Sequence, residues 1–325
     1  MHLLVTGAAG FIASRVVDRL LAAGHTVTGL DSLNDAYDVR LKNWRLQRLL
    51  GRPGFEFRQV DITRLPELSE LWTQQPAFDA VIHLAARAGV PQSVTDPWIY
   101  FETNLTGTLN LLDLCRRHGV GKFVLASTSS LYGVHNSMPY REDADTSRPL
   151  APYAASKKAA ETLCYTYHYL HGLDVTVLRY FTVYGPAGRP EMSLFRFAQK
   201  ISEGRPITVN GDGSQSRDFT YVDDIARGTI AALRPVGYDI INLGSDKPVV
   251  LNDAIGLIER LTGRTAQVRY QPAHPADVKA SWADVTRAGA VLDWEPQVAF
   301  EAGVQALVDW YATERAWASQ IDTGQ

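Results

Sequence analysis

The chain has 325 residues, 46% of them hydrophobic and 21% charged, with a formal net charge of −3. That length suits two associated lobes and a core large enough to fold without disulfide staples. The faintly acidic balance argues against a nucleic-acid-binding surface, and no apolar run approaches the ~20 residues of a membrane span.

The opening MHLLVTGAAG runs straight into a strand and a turn, so no signal peptide is expected there. Apolar, β-branched runs predict strands at 2–6, 26–30, 55–60, 80–84, 122–127 and 175–179. With little polar alternation they suit a parallel sheet covered on both faces. Helical patterns fall between them at 11–23, 65–74, 98–117 and 152–171. The alternation predicts an α/β fold, a doubly wound parallel sheet with right-handed crossovers. After Tyr180, Gly and Pro become frequent and elements shorten. A helix at 223–233 followed by a strand at 239–243 reads as a return to the main sheet. The expected division is therefore interleaved: 1–179 with about 222–246 binding a nucleotide, and about 180–221 with 247–325 forming a smaller α/β substrate lobe. The tail after Trp317 is expected to fray. Cys115 and Cys164 lie in apolar helical stretches and read as free buried thiols, which suits a reducing cytoplasm. No metal is expected.

The first strand leads into Gly7-Ala8-Ala9-Gly10-Phe11-Ile12-Ala13 and then a helix. Glycines at that spacing let backbone approach a pyrophosphate while the helix N-terminus offers free N–H groups. The second strand ends at Asp31, about 20 residues beyond the loop, where a carboxylate can accept from a ribose diol and repel a 2′-phosphate. That favours NAD over NADP. Asp61-Ile62 ends the third strand and can hold adenine, and the small residues of His83-Leu84-Ala85-Ala86 let backbone come close to a ligand.

Tyr153-Ala-Ala-Ser-Lys157 opens a later helix, and residues i and i+4 share one helical face. A tyrosine ionises near pH 10, so a neutral-pH base needs a shift of about three units, or about 4 kcal/mol. Lys157 and a cationic nicotinamide ring both favour phenolate. The strand end Ser127-Thr128-Ser129-Ser130 can bring a hydroxyl to the same oxygen.

With these motifs the chain resembles the extended short-chain dehydrogenase/reductase family of nucleotide-sugar epimerases and dehydratases. The resemblance runs along nearly all of it, through "TGAAGFIA", "HLAARAG", "DPWIYFETNLTGTLNLL", "STSSLYG", "YAASK", "RYFTVYGP" and "RDFTYVDD". It implies a Rossmann lobe with tightly held NAD, a UDP-sugar substrate, and a homodimer through a four-helix bundle built from the helices at 104–117 and 153–171. Carried over residue by residue, the catalytic group is Tyr153, Lys157 and Thr128. The implied cofactor residues are Gly7, Gly10, Phe11, Ile12, Asp31, Asn34, Lys42, Asp61, Ile62, Leu84, Ala85, Ala86, Asn104, Ser127, Tyr180 and Val183, together with Tyr153 and Lys157. The implied substrate residues are Arg87, Thr128, Ser129, Ser130, Thr182, Arg189, Met192, Ser193, Arg217 and Asp277.

Dehydratases of the family look like S-T-D-E-x-Y-G, whereas Ser129 and Ser130 stand here in place of the acid pair. Phe181-Thr182-Val183, the run from Asn34 to Lys42, "RAGVPQS" and Gly188-Arg189-Pro190-Glu-Met192 resemble the UDP-glucuronate 4-epimerases. Hydroxyls of Thr128, Ser129, Ser130 and Thr182 near Arg189 suit a C5 carboxylate, and Arg217 suits a diphosphate. That subgroup often has Gln at the place of Arg87 and Arg at that of Pro91, and 272–276 lacks an arginine common near the diphosphate. Epimerisation at C4 of a neutral or N-acetylated UDP-sugar, decarboxylation to a UDP-pentose, and a silent NAD sensor stay open as alternatives.

Overall fold

A computed structural model describes residues 1–272 and 278–324. In chain order the strands are β1 (His2–Thr6), β2 (Thr26–Asp31), β3 (Phe55–Gln59), β4 (Ala80–His83), β5 (Lys122–Thr128) and β6 (Asp174–Tyr180). Then follow β7 (Thr182–Tyr184), β8 (Ile207–Asn210), β9 (Ser216–Tyr221) and β10 (Tyr238–Leu243). The last are β11 (Pro248–Val250), β12 (Val268–Gln271) and β13 (Ala280–Ser281). The main sheet runs β10-β6-β5-β4-β1-β2-β3, every neighbour parallel. It is the expected doubly wound sheet.

Burial on both faces explains the uninterrupted apolar strands. Leu3 and Val5 of β1 pack with Val16, Val17 and Leu20 of the helix Phe11–Ala22 on one face. Leu4 between them packs on the other face with Leu111 and Leu112 of Gly107–His118. Strand order reverses between β1 and β4, and the chain ends there diverge to opposite faces. That divergence opens a crevice at the carboxyl edge.

The second lobe builds on β9, paired with β7, β11 and β13, and on a β8–β12 pair. Its core joins Phe195, Phe197 and Ile201 to Ile255, Ile258, Leu307 and Tyr311. Asp218 of β9, fully buried, accepts from the amides of Asp246 and Ala283 and from Thr220 Oγ1 at 3.2, 3.0 and 3.0 Å. One carboxylate thus fixes the strand that carries Arg217.

Two expectations change, and one helix appears where none was assigned. The helix predicted over 98–117 is interrupted: Trp98–Phe101 and Gly107–His118 are joined by a π-turn at Glu102–Thr106. Asn104 in that turn is fully buried and bonds the chain at Arg87, a displacement that apolar periodicity does not report. The tail does not fray. Gln199 Nε2 donates to Ala318 O and Ile321 O, both at 2.9 Å, and Ile321 is buried. Finally, a helix at Val39–Gln47 with no amphipathic pattern inserts Leu41 into the core of the second lobe.

Candidate active site

The crevice at the edge of β1, β2 and β4 holds a cavity of about 260 Å³. Gly7 and Gly10, Asp31, Asn34, Lys42, Asp61, Ile62, Leu84, Ala85 and Ala86, all named from the sequence, line it together. Gly7 has φ of +73°, and a Cβ there would lie 2.9 Å from Ala85 N. Only glycine fits. Gly10 precedes the helix Phe11–Ala22 without a side-chain cap, so the first helical amides keep their hydrogens for an anion. Asp31 accepts from Ala9 N at 3.1 Å and Leu33 N at 2.8 Å, which leaves carboxylate lone pairs for a diol. Lys42 Nζ stands 3.9 Å from Asp31 and donates to Asn34 O and Oδ1 at 2.8 and 2.9 Å. Burial lowers the pKa of Lys42, and Arg87 and Arg45 add to that against Asp31 and Asp35. A glycine cradle, uncapped amides and an acid with spare acceptors fit a dinucleotide.

A buried relay holds the loop after β4. Thr6 Oγ1 accepts from Leu84 N and Ala85 N at 3.2 and 3.1 Å, so its hydrogen points to His83 Nδ1 at 2.7 Å. His83 Nε2 then donates to Thr108 Oγ1 at 3.0 Å, and Thr108 donates to Asn104 O at 2.6 Å. The chain of donors makes His83 the neutral Nε2–H tautomer. Burial holds its pKa well below the usual value, and Lys157 adds to that.

Tyr153 and Lys157 lie one turn apart near the start of the helix Pro152–His171. Lys157 is 2% exposed and finds no hydrogen-bond partner among the described residues. Burial pushes its ammonium down to about 8, opposed by Cys164 and Glu161. The half-buried Tyr153 phenol is raised by burial and drawn back by the nearby Thr128 hydroxyl and by the Arg189 charge. The cation that acts on the phenol is therefore Arg189 and not Lys157, which the sequence suggested. The Tyr100 ring meets Tyr153 edge-on at 6.2 Å.

A second cavity of about 350 Å³ gathers Ser129, Ser130, Thr182 and Arg217 with Pro91, Tyr140 and Ala154. Thr182 also borders a small pocket with Val183, Arg189, Met192 and Ser193. Thr128 borders the second cavity through Ser130: its Oγ1 accepts from Ser130 N at 3.1 Å and lies 3.2 Å from Ser130 Oγ.

Several residues named for the cofactor or substrate have partners within the fold. Ser127 Oγ donates to Glu161 Oε1 at 2.6 Å, and Tyr180 OH lies 2.7 Å from Thr229 Oγ1. Both side chains are thus spent in the interior. Asn104 spends its amide on Arg87 O and Ser156 Oγ, each at 2.9 Å, and its oxygen on Arg87 N. These bonds hold the loop at Arg87 in place. Arg87 lines the dinucleotide crevice, not the second cavity. Phe11 is buried beneath Gly188, and Ile12 packs toward the sheet core. Asp277 lies outside the described residues. Residues the sequence did not single out are Tyr100, Glu191, which pairs with Arg189, and Arg45, which is buried beside the glycine loop.

Residues 3–244 match the profile of the NAD dependent epimerase/dehydratase family. The UDP-glucuronate 4-epimerase of Thermodesulfobacterium geofontis is 55% identical over 310 residues, 95% of each chain. The chain belongs to this family. A crystal structure of UDP-glucuronic acid 4-epimerase from Bacillus cereus, in complex with UDP-glucuronic acid and NAD, is 37% identical with a TM-score of 0.91. It covers 97% of this chain and 100% of its own. UDP-glucose 4-epimerase from Thermotoga maritima, with UDP-glucose, is 31% identical with a TM-score of 0.89, over 97% and 100% of the two chains. NAD dependence follows with the family.

In the cofactor-free epimerase-family chain, the depressed pKa of Lys157 has a thermodynamic consequence. The unfolded amine binds its proton more tightly than the folded one, so this group destabilises the fold most below pH 8 and ceases to above its unfolded pKa near 10.5. Lys157→Met should therefore raise the stability of the cofactor-free chain at pH 7, and the gain should shrink between pH 8 and about 10.5. Urea denaturation across that range checks it; a gain independent of pH would contradict the assignment.

Proposed function

We propose that the chain interconverts UDP-glucuronate and UDP-galacturonate through a 4-keto sugar, with Tyr153 as the base. The observation that carries this reading is the hydroxyl set. Ser129, Ser130 and Thr182 line one cavity next to Thr128, where water-eliminating relatives would need carboxyl groups. Bound NAD supplies a reversible hydride acceptor. Tyr153 takes the C4 hydroxyl proton as the C4 hydride leaves, and returns it when hydride comes back to the other face. Thr128 shares the hydrogen bond at that oxygen, and Lys157, whose ammonium has no hydrogen-bond partner among the described residues, binds the nicotinamide ribose.

A 4-keto uronate is a β-keto acid and tends to lose carbon dioxide. Loss requires the carboxylate bond to align with the ketone π system. Hydroxyl donors that keep the carboxylate charged and turned out of that alignment slow it. Ser129, Ser130 and Thr182 are neutral donors suited to this, and Arg189 supplies charge nearby. The purified chain given UDP-glucuronate without added NAD should yield UDP-galacturonate by NMR. Thr182→Ala should raise the pentose share of product by about tenfold, equivalent to about 1.4 kcal/mol. An unchanged product ratio contradicts the carboxylate role, and turnover of UDP-glucose alone contradicts the substrate.

A homodimer is part of the proposal. Trp98 is 82% exposed and Leu109 39% exposed beside the helix Pro152–His171, whose Tyr169 is 75% exposed. A surface with such side chains suits a helix-on-helix contact between two copies. Trp98→Glu should convert a dimer to monomer in sedimentation; an unchanged mass would contradict this face. The free buried thiols of Cys115 and Cys164 support a cytoplasmic location.

A further inference from the structure

Arg45 is 3% exposed, on the helix Val39–Gln47. Its Nε donates to Ala187 O at 2.9 Å. Nη1 donates to Ala9 O at 3.2 Å and to the Tyr37 hydroxyl at 2.7 Å. Nη2 donates to Ala187 O and Gly188 O at 2.7 and 3.0 Å. These bonds use the five donors a guanidinium has. Every acceptor is neutral. Among the described residues no carboxylate pairs with Arg45. The rings of Phe11 and Tyr37 lie 5.8 and 5.5 Å from its guanidinium carbon.

Two features set this arginine apart from an ordinary buried one. A buried charge is usually paired, because desolvation without a counter-ion is costly. Here neutral dipoles surround it, and no carboxylate among the described residues stands within ion-pair distance. The carbonyls it holds also belong to two different functional segments: Ala9 is in the glycine loop, while Ala187 and Gly188 immediately precede Arg189. The same helix enters the second lobe through Leu41, and Trp44 meets Trp310 edge-on at 5.7 Å.

We propose that Arg45 is a positioning residue that latches the dinucleotide loop to the substrate loop, and that the pyrophosphate of bound dinucleotide supplies its missing counter-charge. The proposal rests on the dinucleotide reading of the crevice. The latch makes cofactor and sugar-nucleotide binding mutually supportive, because each orders a segment that Arg45 holds for the other. It also gives a physical reason for a cofactor that stays bound through many turnovers: leaving would strand a buried cation.

The test uses full-length protein stripped of NAD, with NAD and UDP as probes in separate calorimetric titrations and thermal melts with and without NAD. Arg45→Met removes charge and fork together; its NAD Kd should rise at least about tenfold, and the NAD-induced rise in Tm should shrink. Arg45→Lys keeps the charge without the fork. Its NAD Kd should stay within about threefold, while the UDP Kd of the NAD-loaded protein should rise about tenfold. A purely structural arginine would lower Tm equally with and without NAD and leave both dissociation constants within about twofold. That result overturns the latch. If Arg45→Met does not fold, the split between NAD and UDP in Arg45→Lys decides alone, and its absence overturns the proposal. Failure of the unmutated chain to bind NAD overturns the dinucleotide reading, and the latch with it.

Discussion

The whole site answers one difficulty: a phenol drawn partly out of water is a worse base than one in water. Tyr153 starts from the ordinary tyrosine value, and burial raises it further. Chemistry near neutral pH then needs positive charge and a hydrogen-bond donor fixed close to one oxygen. The Thr128 hydroxyl and Arg189 provide part of this within the protein. The cationic ring of oxidised NAD provides more when bound, and it does so only in the oxidation state that needs a base. Burial becomes useful at that point, because it strengthens each of these interactions.

Holding those groups still is the task of the surrounding network. Glu161 and Arg179, each 1% exposed, make two hydrogen bonds of 3.0 and 2.9 Å. Glu161 lies one turn beyond Lys157 and helps keep that amine protonated against burial. Arg179 continues to the Tyr132 hydroxyl at 3.1 Å, which donates to Asn242 Oδ1 at 2.6 Å. The ends of β5, β6 and β10 are thereby tied to the catalytic helix. A buried ion pair is a poor stability device; a registry role explains its place better. The Thr6–His83–Thr108 relay does the same for the loop on the opposite wall.

Much of this was legible in the chain. Strand–glycine–helix punctuation, an acid at the end of β2 and the Tyr153–Lys157 spacing each carry a local signature, and the structure brings them to one edge. What was not legible has a physical cause in each case. Ser127 and Thr128 are neighbours on a strand and so point to opposite faces; Thr128 acts on the Tyr153 phenol, while Ser127 meets Glu161. Tyr180 turns inward to Thr229 by the same alternation. The π-turn at Asn104 leaves the apolar spacing of its flanking helices intact, so periodicity shows an unbroken helix. Arg45 binds carbonyls some 36 and 142 residues away in sequence, and backbone acceptors have no sequence signature at all. The tail docks because Gln199 reaches it from a distant helix.

Direct observation of the phenol is the sharpest test of the account. Ultraviolet difference titration of the NAD-loaded chain against its Tyr153→Phe variant isolates one tyrosine. The account predicts that the tyrosinate missing from the variant forms at lower pH in the NAD-loaded chain than in the NAD-free one. A difference titration that NAD leaves in place, or that it moves upward, would contradict it.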